Sequence, residues 1–363
     1  MPRLKEFRWD SWAEHTFRAI REDDPDIIAV DTETRGLGFY DEPFAATLTW
    51  RRPDGSLKSG YIDLESGDLA WRITELRTVL MRTPAWVFHN AKFDLQKLKL
   101  IGAINDPMIE RVDLHDTQTQ YMLLDENRTK GLKDLAVRVL GYDDTIEVEI
   151  KSGKNKGQFK SVPKEQHKLN AVRRKLGLKK DDGYHLLPRE VLIPYALRDT
   201  EFTLQLHERL YPRLRAKSDP KLLQLYNDSM RLKRVLLRME GDGFALDVPY
   251  TEAKASEYGV RVMEKWDRVV QLVGDADFNP RSTDQVKAAF ARRGVHLQDT
   301  QAKTLKELDD DLARALLEYR DDFKIHTTYL IGLLREQRNG RIHPNFNDDG
   351  ARTGRMSSSS AKE

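Results

Sequence analysis

Two acids stand one residue apart at the end of an apolar run, Ile27-Ile28-Ala29-Val30-Asp31-Thr32-Glu33-Thr34. On a strand, residues i and i+2 share a face, so Asp31 and Glu33 project together. Two ionised carboxylates so placed repel each other unless a cation sits between them or one takes up a proton. Hard divalent ions such as Mg²⁺ take oxygen ligands of this kind. Two further pieces carry acids: Asn90-Ala91-Lys92-Phe93-Asp94, and Tyr195-Ala196-Leu197-Arg198-Asp199. The second sets a phenol and a carboxylate at i and i+4, on one face of a helix. Each piece also has a structural reading: a solvated strand end, an acid in a first helical turn where the dipole favours it, and a contact on a helix flank. Four carboxylates converging in one domain would hold two divalent ions. Two such ions about 3.5–4 Å apart suit phosphodiester hydrolysis, one presenting hydroxide and the other stabilising the leaving oxygen. Tyr195 would then orient the attacking water.

The elements that must position these residues form an α/β pattern. Residues 27–33 read as a buried strand, short and rich in β-branched side chains. Strands are expected over 44–51 and 57–64, joined by a turn at Arg52-Pro53-Asp54-Gly55. Helical spacing covers 9–21 and 69–81, a short strand 86–90, and a helix 91–101. Asp116 is expected to cap a helix running to Leu124, and Gly141 to close one over 132–140. Residues 188–214 form a long helical pattern, with a kink or restart at Pro194. Ser218-Asp219-Pro220 marks a domain boundary, after which long helices are expected over 221–239, 250–273 and 312–335, with a shorter one over 282–293. The end of the chain, from Ala351, is polar and Ser-rich, with little apolar surface to offset its ordering entropy.

The chain of 363 residues has 61 Lys and Arg against 59 Asp and Glu, a net charge near +2 that by itself selects no partner. The absence of cysteine rules out disulfides, thiolate metal sites and cysteine nucleophiles. No apolar stretch approaches the roughly 18 residues of a membrane span, and the N-terminus has no signal-peptide pattern. A soluble protein of the cytoplasm, with no membrane partner, is expected. Charge is uneven along the chain. Lys151 to Lys180 holds eleven Lys or Arg and one acid, Glu165. That segment reads either as a solvated, partly mobile insertion or as an arm that contacts phosphates.

The three acidic pieces resemble the motifs of the 3′–5′ proofreading exonucleases, in the subclass with tyrosine in the third motif. Asp31-Thr32-Glu33-Thr34, Asn90-Ala91-Lys92-Phe93-Asp94 and Tyr195-Ala196-Leu197-Arg198-Asp199, the last running on to His207, are most similar to the exonuclease domain of DNA polymerase I-like family A polymerases. The resemblance implies a ribonuclease-H-like fold with a mixed sheet and two divalent ions, Mg²⁺ or Mn²⁺. It implies that Asp31, Glu33 and Asp199 bind one ion, and that Asp31 and Asp94 contact the other. Asp31, Glu33, Asp94, Tyr195 and Asp199 would then be the catalytic set. Thr34, Leu37 and Asn90 match positions that touch the 3′-terminal nucleotide, with Leu37 against its base.

The resemblance continues to about residue 360. Leu236-Leu237-Arg238-Met239-Glu240, Phe278-Asn279-Pro280-Arg281-Ser282 and Lys324-x-x-Thr327-Thr328-Tyr329 resemble the helical polymerase thumb, and Thr353-Gly354-Arg355-Met356-Ser357-Ser358 the strand leading into a palm. The expected division is an exonuclease domain over 1–217, a mainly helical thumb-like domain over 218–345, and a palm-like tail over 346–363. DNA contacts are expected from Lys151, Lys154, Lys156 and Lys160 of the basic segment, and from Lys324 and Arg355. No fingers or palm follow Glu363, so no polymerase site is expected in this chain. The expected function is 3′–5′ exonuclease action on single-stranded DNA 3′ ends or a primer-template, in a bacterial or phage-infected cell. Two alternatives stand beside it. One is a non-catalytic DNA-binding half of a split polymerase, completed by a second chain with fingers and palm; the other is an RNA-trimming nuclease of the ribonuclease D type.

Overall fold

The computed structural model describes residues 9–125, 129–151, 155–179, 183–216, 220–348 and 354–359. The chain forms two compact units, residues 1–241 with 344–363, and residues 242–343.

The first unit is built on a five-stranded mixed sheet. Its strands are β1 (Ile27–Thr34), β2 (Pro43–Arg51), β3 (Leu57–Asp63), β4 (Ala85–Phe88) and β5 (Asp113–Asp116), in the order β3-β2-β1-β4-β5. β1 pairs antiparallel with β2 and parallel with β4. β1 is thus the central strand, and its apolar residues Ile28, Ala29 and Val30 are fully buried. Helices α1 (Trp9–Asp23), α2 (Leu69–Arg82) and α3 (Ala91–Leu100) pack into the core that holds Phe17, Leu76, Leu80, Trp50 and Trp86. α4 (Asp106–Arg111) and β5 were not expected from the sequence. β5, Asp-Leu-His-Asp, lacks an apolar run, and its buried His115 and Asp116 reach distant partners in Tyr226 and Lys233.

α5 (Thr117–Leu124) begins at Asp116, whose carboxylate accepts from Gln118 N and Thr119 N, as its capping position predicts. α6 (Leu132–Leu135) continues as a π-helical turn to Leu140 and stops at Gly141, which takes the left-handed conformation at φ 72°. The described part of the basic segment holds regular structure. Its flank and first half form a hairpin, β6 (Thr145–Glu149) with β7 (Phe159–Pro163), followed by α7 (Lys164–Lys175). Ile146 and Val148 alternate with Glu147 and Glu149, a strand signal outweighed in the sequence by the surrounding charge. α7 is anchored by Leu169, fully buried in a cluster with Tyr61, Leu192 and Tyr195.

α8 (Arg189–Leu214) runs without restarting at Pro194. That proline lies early in the helix, and its neighbours Leu192, Ile193, Tyr195 and Ala196 are all buried. α8 is tied to the sheet by Thr47 Oγ1 donating to Ala196 O at 3.3 Å and by Thr49 Oγ1 against Thr200 Oγ1 at 2.8 Å.

The boundary expected near residue 218 falls elsewhere in the contacts. α9 (Pro220–Asp242) belongs to the first unit up to Gly241, because Leu237 enters the main core and Tyr226 and Met230 pack with Leu214. The described part of the tail belongs there as well. A strand at Asn345–Asn347 pairs with one at Ser357–Ser359, and Phe346 N donates to the buried Glu240 carboxylate at 2.6 Å. Buried charge therefore anchors a segment that has little apolar surface.

The second unit is mainly helical. α10 (Val248–Val273) and α13 (Asp311–Lys324) pack around Val269, Phe278, Phe290, Leu312, Leu316 and Tyr319, with α11 (Thr283–Arg292) and α12 (Ala302–Lys306) completing the core. Asp322, buried in this unit, is held by Arg261 at 3.1 Å and Lys265 at 2.7 Å. A two-residue ladder of 244–245 with 341–342 closes it. Gly243 (φ 61°) is required there, since a Cβ would stand 2.5 Å from Ile342 O. Among the described residues no helix is long and apolar enough to cross a membrane.

Candidate active site

The central strand carries Asp31 and Glu33, and the parallel neighbour β4 feeds α3, whose first turn carries Asp94. Between β4 and α3, Asn90 adopts the left-handed conformation at φ 75°, uncommon for a residue with a side chain. Asp116 fixes this turn. Its carboxylate accepts from Asn90 N at 3.1 Å and Ala91 N at 3.0 Å, and it is fully buried. The turn aims Asp94 back at β1, where its Oδ1 accepts from Thr32 N at 2.8 Å and Thr32 Oγ1 at 2.7 Å. Asp94 is thereby locked to the residue that separates the two acids of β1. α8 carries Tyr195 and Asp199, both buried.

The buried groups act on one another's charge. Burial pushes the Asp31 carboxyl up to about 7, against the pull of the Lys133 ammonium. Burial, and then the charge of Asp31, raises Glu33 well above the ordinary carboxylate range. Asp94 is raised for the same two reasons, and the Thr32 hydrogen bonds oppose the rise. Tyr195 is raised by burial, then by Tyr184, Glu33 and Asp31. Its ring meets that of Tyr184 edge-on, with centroids 5.8 Å apart.

Lys133, on α6, was not singled out by any motif. Its ammonium forms an ion pair with Asp199 and lies 4.1 Å from the centre of the Tyr195 ring and 5.7 Å from that of Phe202. Burial lowers it to about 7, opposed by Asp31 and Glu33. α6 is held against α8 by Leu135, Leu206 and Leu210, all fully buried, and this fixes the lysine over the acids. One lysine among 61 basic residues has no local signature, so only packing reveals it.

Among the described residues, no three or more His, Cys, Asp or Glu side chains are arranged to hold a metal ion. The donor chemistry nonetheless suits a hard divalent cation. Buried oxygen donors are crowded so that each raises the pKa of the next, and a cation relieves that crowding.

These shifts carry a pH signature for the metal-free protein. Asp31 has a folded pKa near 7 against its ordinary 3.8. Its contribution to stability is therefore complete below about pH 4 and lost as pH rises through 7. His89 and His207, lowered by burial to about 4 and about 3, slope the other way, so a variant is needed to isolate Asp31. In EDTA, Asp31→Asn is expected to gain stability relative to the unaltered protein as pH rises from about 5 to 7.5. Denaturant melts of the two proteins across that range measure it; a constant difference would contradict the raised pKa.

The nucleotide-facing candidates are spread more widely. Thr34 ends β1, its Oγ1 donating to Gly36 O at 2.7 Å, and Leu37 just beyond is 59% exposed, an apolar side chain left facing solvent. Lys151, Lys156 and Lys160 are exposed on and beside the β6–β7 hairpin, while Lys154 lies outside the described residues. Lys324 is exposed in the second unit, 6.0 Å from the Tyr329 ring centre, and Arg355 is exposed in the tail.

Residues 13–215 match the family described as 3′-5′ exonuclease, and residues 248–362 match DNA polymerase family A. The chain is 32% identical over 299 residues to the DNA polymerase of Escherichia phage T5, covering 75% of this chain and 33% of that one. It is 31% identical over 296 residues to DNA polymerase I of Chloroflexus aurantiacus, covering 74% of this chain and 27% of that one. The chain thus spans about a third or less of the length of these curated relatives. Among solved structures it is similar to the polymerase domain of Pol1 from M. smegmatis, in complex with DNA primer-template and dNTP. The TM-score is 0.61 at 20% identity, over 97% of this chain and 54% of that one, a likeness of fold.

Proposed function

Because the chain belongs to the family A DNA polymerases and carries their 3′–5′ exonuclease domain, with its ribonuclease-H-like α/β fold, we propose that it removes nucleotides from DNA 3′ ends with the help of two divalent metal ions. The observation that supports the reading is the mutual repulsion of Asp31, Glu33 and Asp94, whose charges also act on the buried Tyr195. Asp31, Glu33 and Asp199 would hold one ion, and Asp31 with Asp94 the other. Bound there, Mg²⁺ or Mn²⁺ would supply a hydroxide at neutral pH and neutralise charge on the scissile phosphate.

The protein's own residues do the rest. Thr32 fixes the carboxylate of Asp94 by two hydrogen bonds. The Tyr195 phenol, kept protonated by burial, can donate to the attacking water and orient it. Leu37 would offer its exposed side chain to the terminal base, and Thr34 and Asn90 would supply the other contacts to the terminal nucleotide. The match of residues 248–362 to polymerase family A favours DNA over the ribonuclease D alternative. The place of action would be the cytoplasm of a bacterial or phage-infected cell.

The direct test compares 3′-end hydrolysis of matched DNA and RNA oligonucleotides with Mg²⁺ and with EDTA. Release of nucleotides from DNA 3′ ends, lost in EDTA, is expected. Full activity in EDTA would overturn the metal reading, and preference for RNA the substrate reading.

The basic hairpin and α7 make a second expectation. Single-strand affinity falls with salt by about 0.7 log units per log unit for each phosphate neutralised. Replacing Lys151, Lys154, Lys156 and Lys160 together by glutamine is expected to flatten the log–log salt slope and weaken binding while sparing the cleavage step. An unchanged slope would return these lysines to an ordinary solvated surface.

A further inference from the structure

Lys97, on α3, is 1% exposed, and no step of the proposed reaction uses it. A buried ammonium is unfavourable unless polar groups surround it, and an apolar side chain of similar length would fill the same space without that penalty. The partners of this one are backbone carbonyls of a loop far away in sequence. Lys97 Nζ donates to Gly38 O and, at 3.3 Å, to Phe39 O. The Phe93 ring, its centre 5.3 Å away, supports the cation from within α3. Burial lowers the ammonium to about 8, against the pull of Asp41 and Asp94, so it stays mostly charged at neutral pH.

That loop, residues 35–42, follows directly on β1, whose last residues are Asp31, Thr32, Glu33 and Thr34. It is built to hold one shape. Arg35 N donates to Glu42 O at 3.4 Å, and Asp41 N to Gly38 O at 3.2 Å. Asp41 Oδ2 accepts from Gly38 N at 2.6 Å. A Cβ on Gly36 would stand 2.3 Å from the same oxygen, and one on Gly38 2.9 Å, so the carboxylate fills the space that both glycines leave. Leu37, between those glycines, keeps most of its side chain in solvent. An apolar side chain on a rigid turn is a preformed contact surface, because little entropy remains to be lost when a ligand arrives. Lys97 lies three residues beyond Asp94, about one helical turn. One buried cation thus ties the loop of Leu37 to the helix of Asp94.

We propose that Lys97 is a positioning residue for the 3′-terminal nucleotide: together with Asp41 it fixes the loop that presents Leu37. The proposal rests on the exonuclease reading and on Leu37 as a contact to the terminal base, and it supplies the cause of that contact. Without the ammonium, the carbonyls of Gly38 and Phe39 lose its hydrogen bonds and the loop loosens. The DNA must then order Leu37 itself. That entropy is drawn from binding and not from the chemical step, because Leu37 would hold the base equally in the ground and transition states.

The experiment measures single-turnover hydrolysis of a single-stranded DNA 3′ end by the full chain with Mg²⁺, across a range of protein concentrations in excess over DNA. Lys97→Met keeps the length and apolar packing of the side chain and removes the ammonium. It is expected to raise the half-saturating concentration about tenfold and to leave the rate at saturation within about threefold, the pattern of lost uniform binding. In a Leu37→Ala background the same change should add little, because the loop then has no side chain to present. Asp41→Ala, at a partly exposed position, loosens the loop from its other side and should raise the half-saturating concentration in the same way. An unchanged half-saturating concentration in Lys97→Met, or a saturated rate that falls as far as the affinity, overturns the positioning role and leaves the exonuclease reading standing. So does an effect that persists in full in the Leu37→Ala background. If Lys97→Met fails to fold, unchanged saturation by Asp41→Ala overturns the proposal. No release of nucleotides by the unaltered protein overturns both this proposal and the exonuclease reading.

Discussion

Asp31→Ala is expected to lower 3′-end cleavage by about 10⁴-fold or more. Asp31 would contact both ions, and one preorganised electrostatic donor alone is worth about 10²–10³ in rate. The same change is expected to leave the fold intact and to stabilise the metal-free protein. Asp31 is desolvated and faces Glu33 and Asp94, both raised by its charge, so its removal relieves repulsion. Loss of activity with gain of stability is the signature of a residue kept for chemistry rather than for folding. Asp199→Ala is expected to be similarly inactive. Tyr195→Phe keeps the ring and loses only the hydroxyl, so its cost should be smaller, about 10²-fold, the lower end for a group that handles or orients a proton. Single-turnover cleavage with parallel thermal melts measures all three. Near-normal cleavage by Asp31→Ala would remove the acids from the mechanism.

Lys233→Ala is expected to destabilise the first unit by about 3–5 kcal/mol, since breaking a buried ion pair from one side leaves an uncompensated charge. Lys233 is 2% exposed, and its ammonium lies 3.5 Å from Asp116 and 3.1 Å from Asp348. Asp116 would lose the strongest attraction that holds its carboxyl below the ordinary range against its own burial. The consequence reaches the active site, because Asp116 caps the turn at Asn90 and Ala91 that aims Asp94. Cleavage should therefore fall together with stability, through the turn that aims Asp94. The exposed pair Arg238–Glu110, at 3.0 Å, is the control: Arg238→Ala should cost no more than about 1 kcal/mol. Denaturant titration compares the two variants. Equal, small effects would mean that Asp116 is neutral or reaches water.

The buried lysines also explain why the domain border differs from the one suggested by Ser218-Asp219-Pro220. Lys92, two residues before Asp94, bonds Glu240 across 148 residues of sequence and also donates to Phe346 O. Lys233 reaches Asp348 across 115 residues. These contacts draw α9 and the strand at 345–347 into the exonuclease unit. A Pro-marked turn records where a helix begins; it says nothing about which core that helix joins.

The candidate acids themselves were legible because their chemistry is local. Alternation on β1 pairs Asp31 with Glu33, helical spacing pairs Tyr195 with Asp199, and Asp116 reads as a cap from its position before a helix. The same holds for the helices of the second unit, whose apolar periodicity is strong, and for the glycine that ends the turn at 141. The strand at 113–116 was hidden because Asp113, His115 and Asp116 are polar, and the partners of His115 and Asp116, Tyr226 and Lys233, lie far along the chain. Lys133 was hidden for the same reason. Its place over Tyr195 and Asp199 follows from where α6 packs on α8, and α8 from how it crosses the central strands. Short-range periodicity sets which groups share a face; only closure of the sheet and burial of charge set which distant lysine must neutralise them.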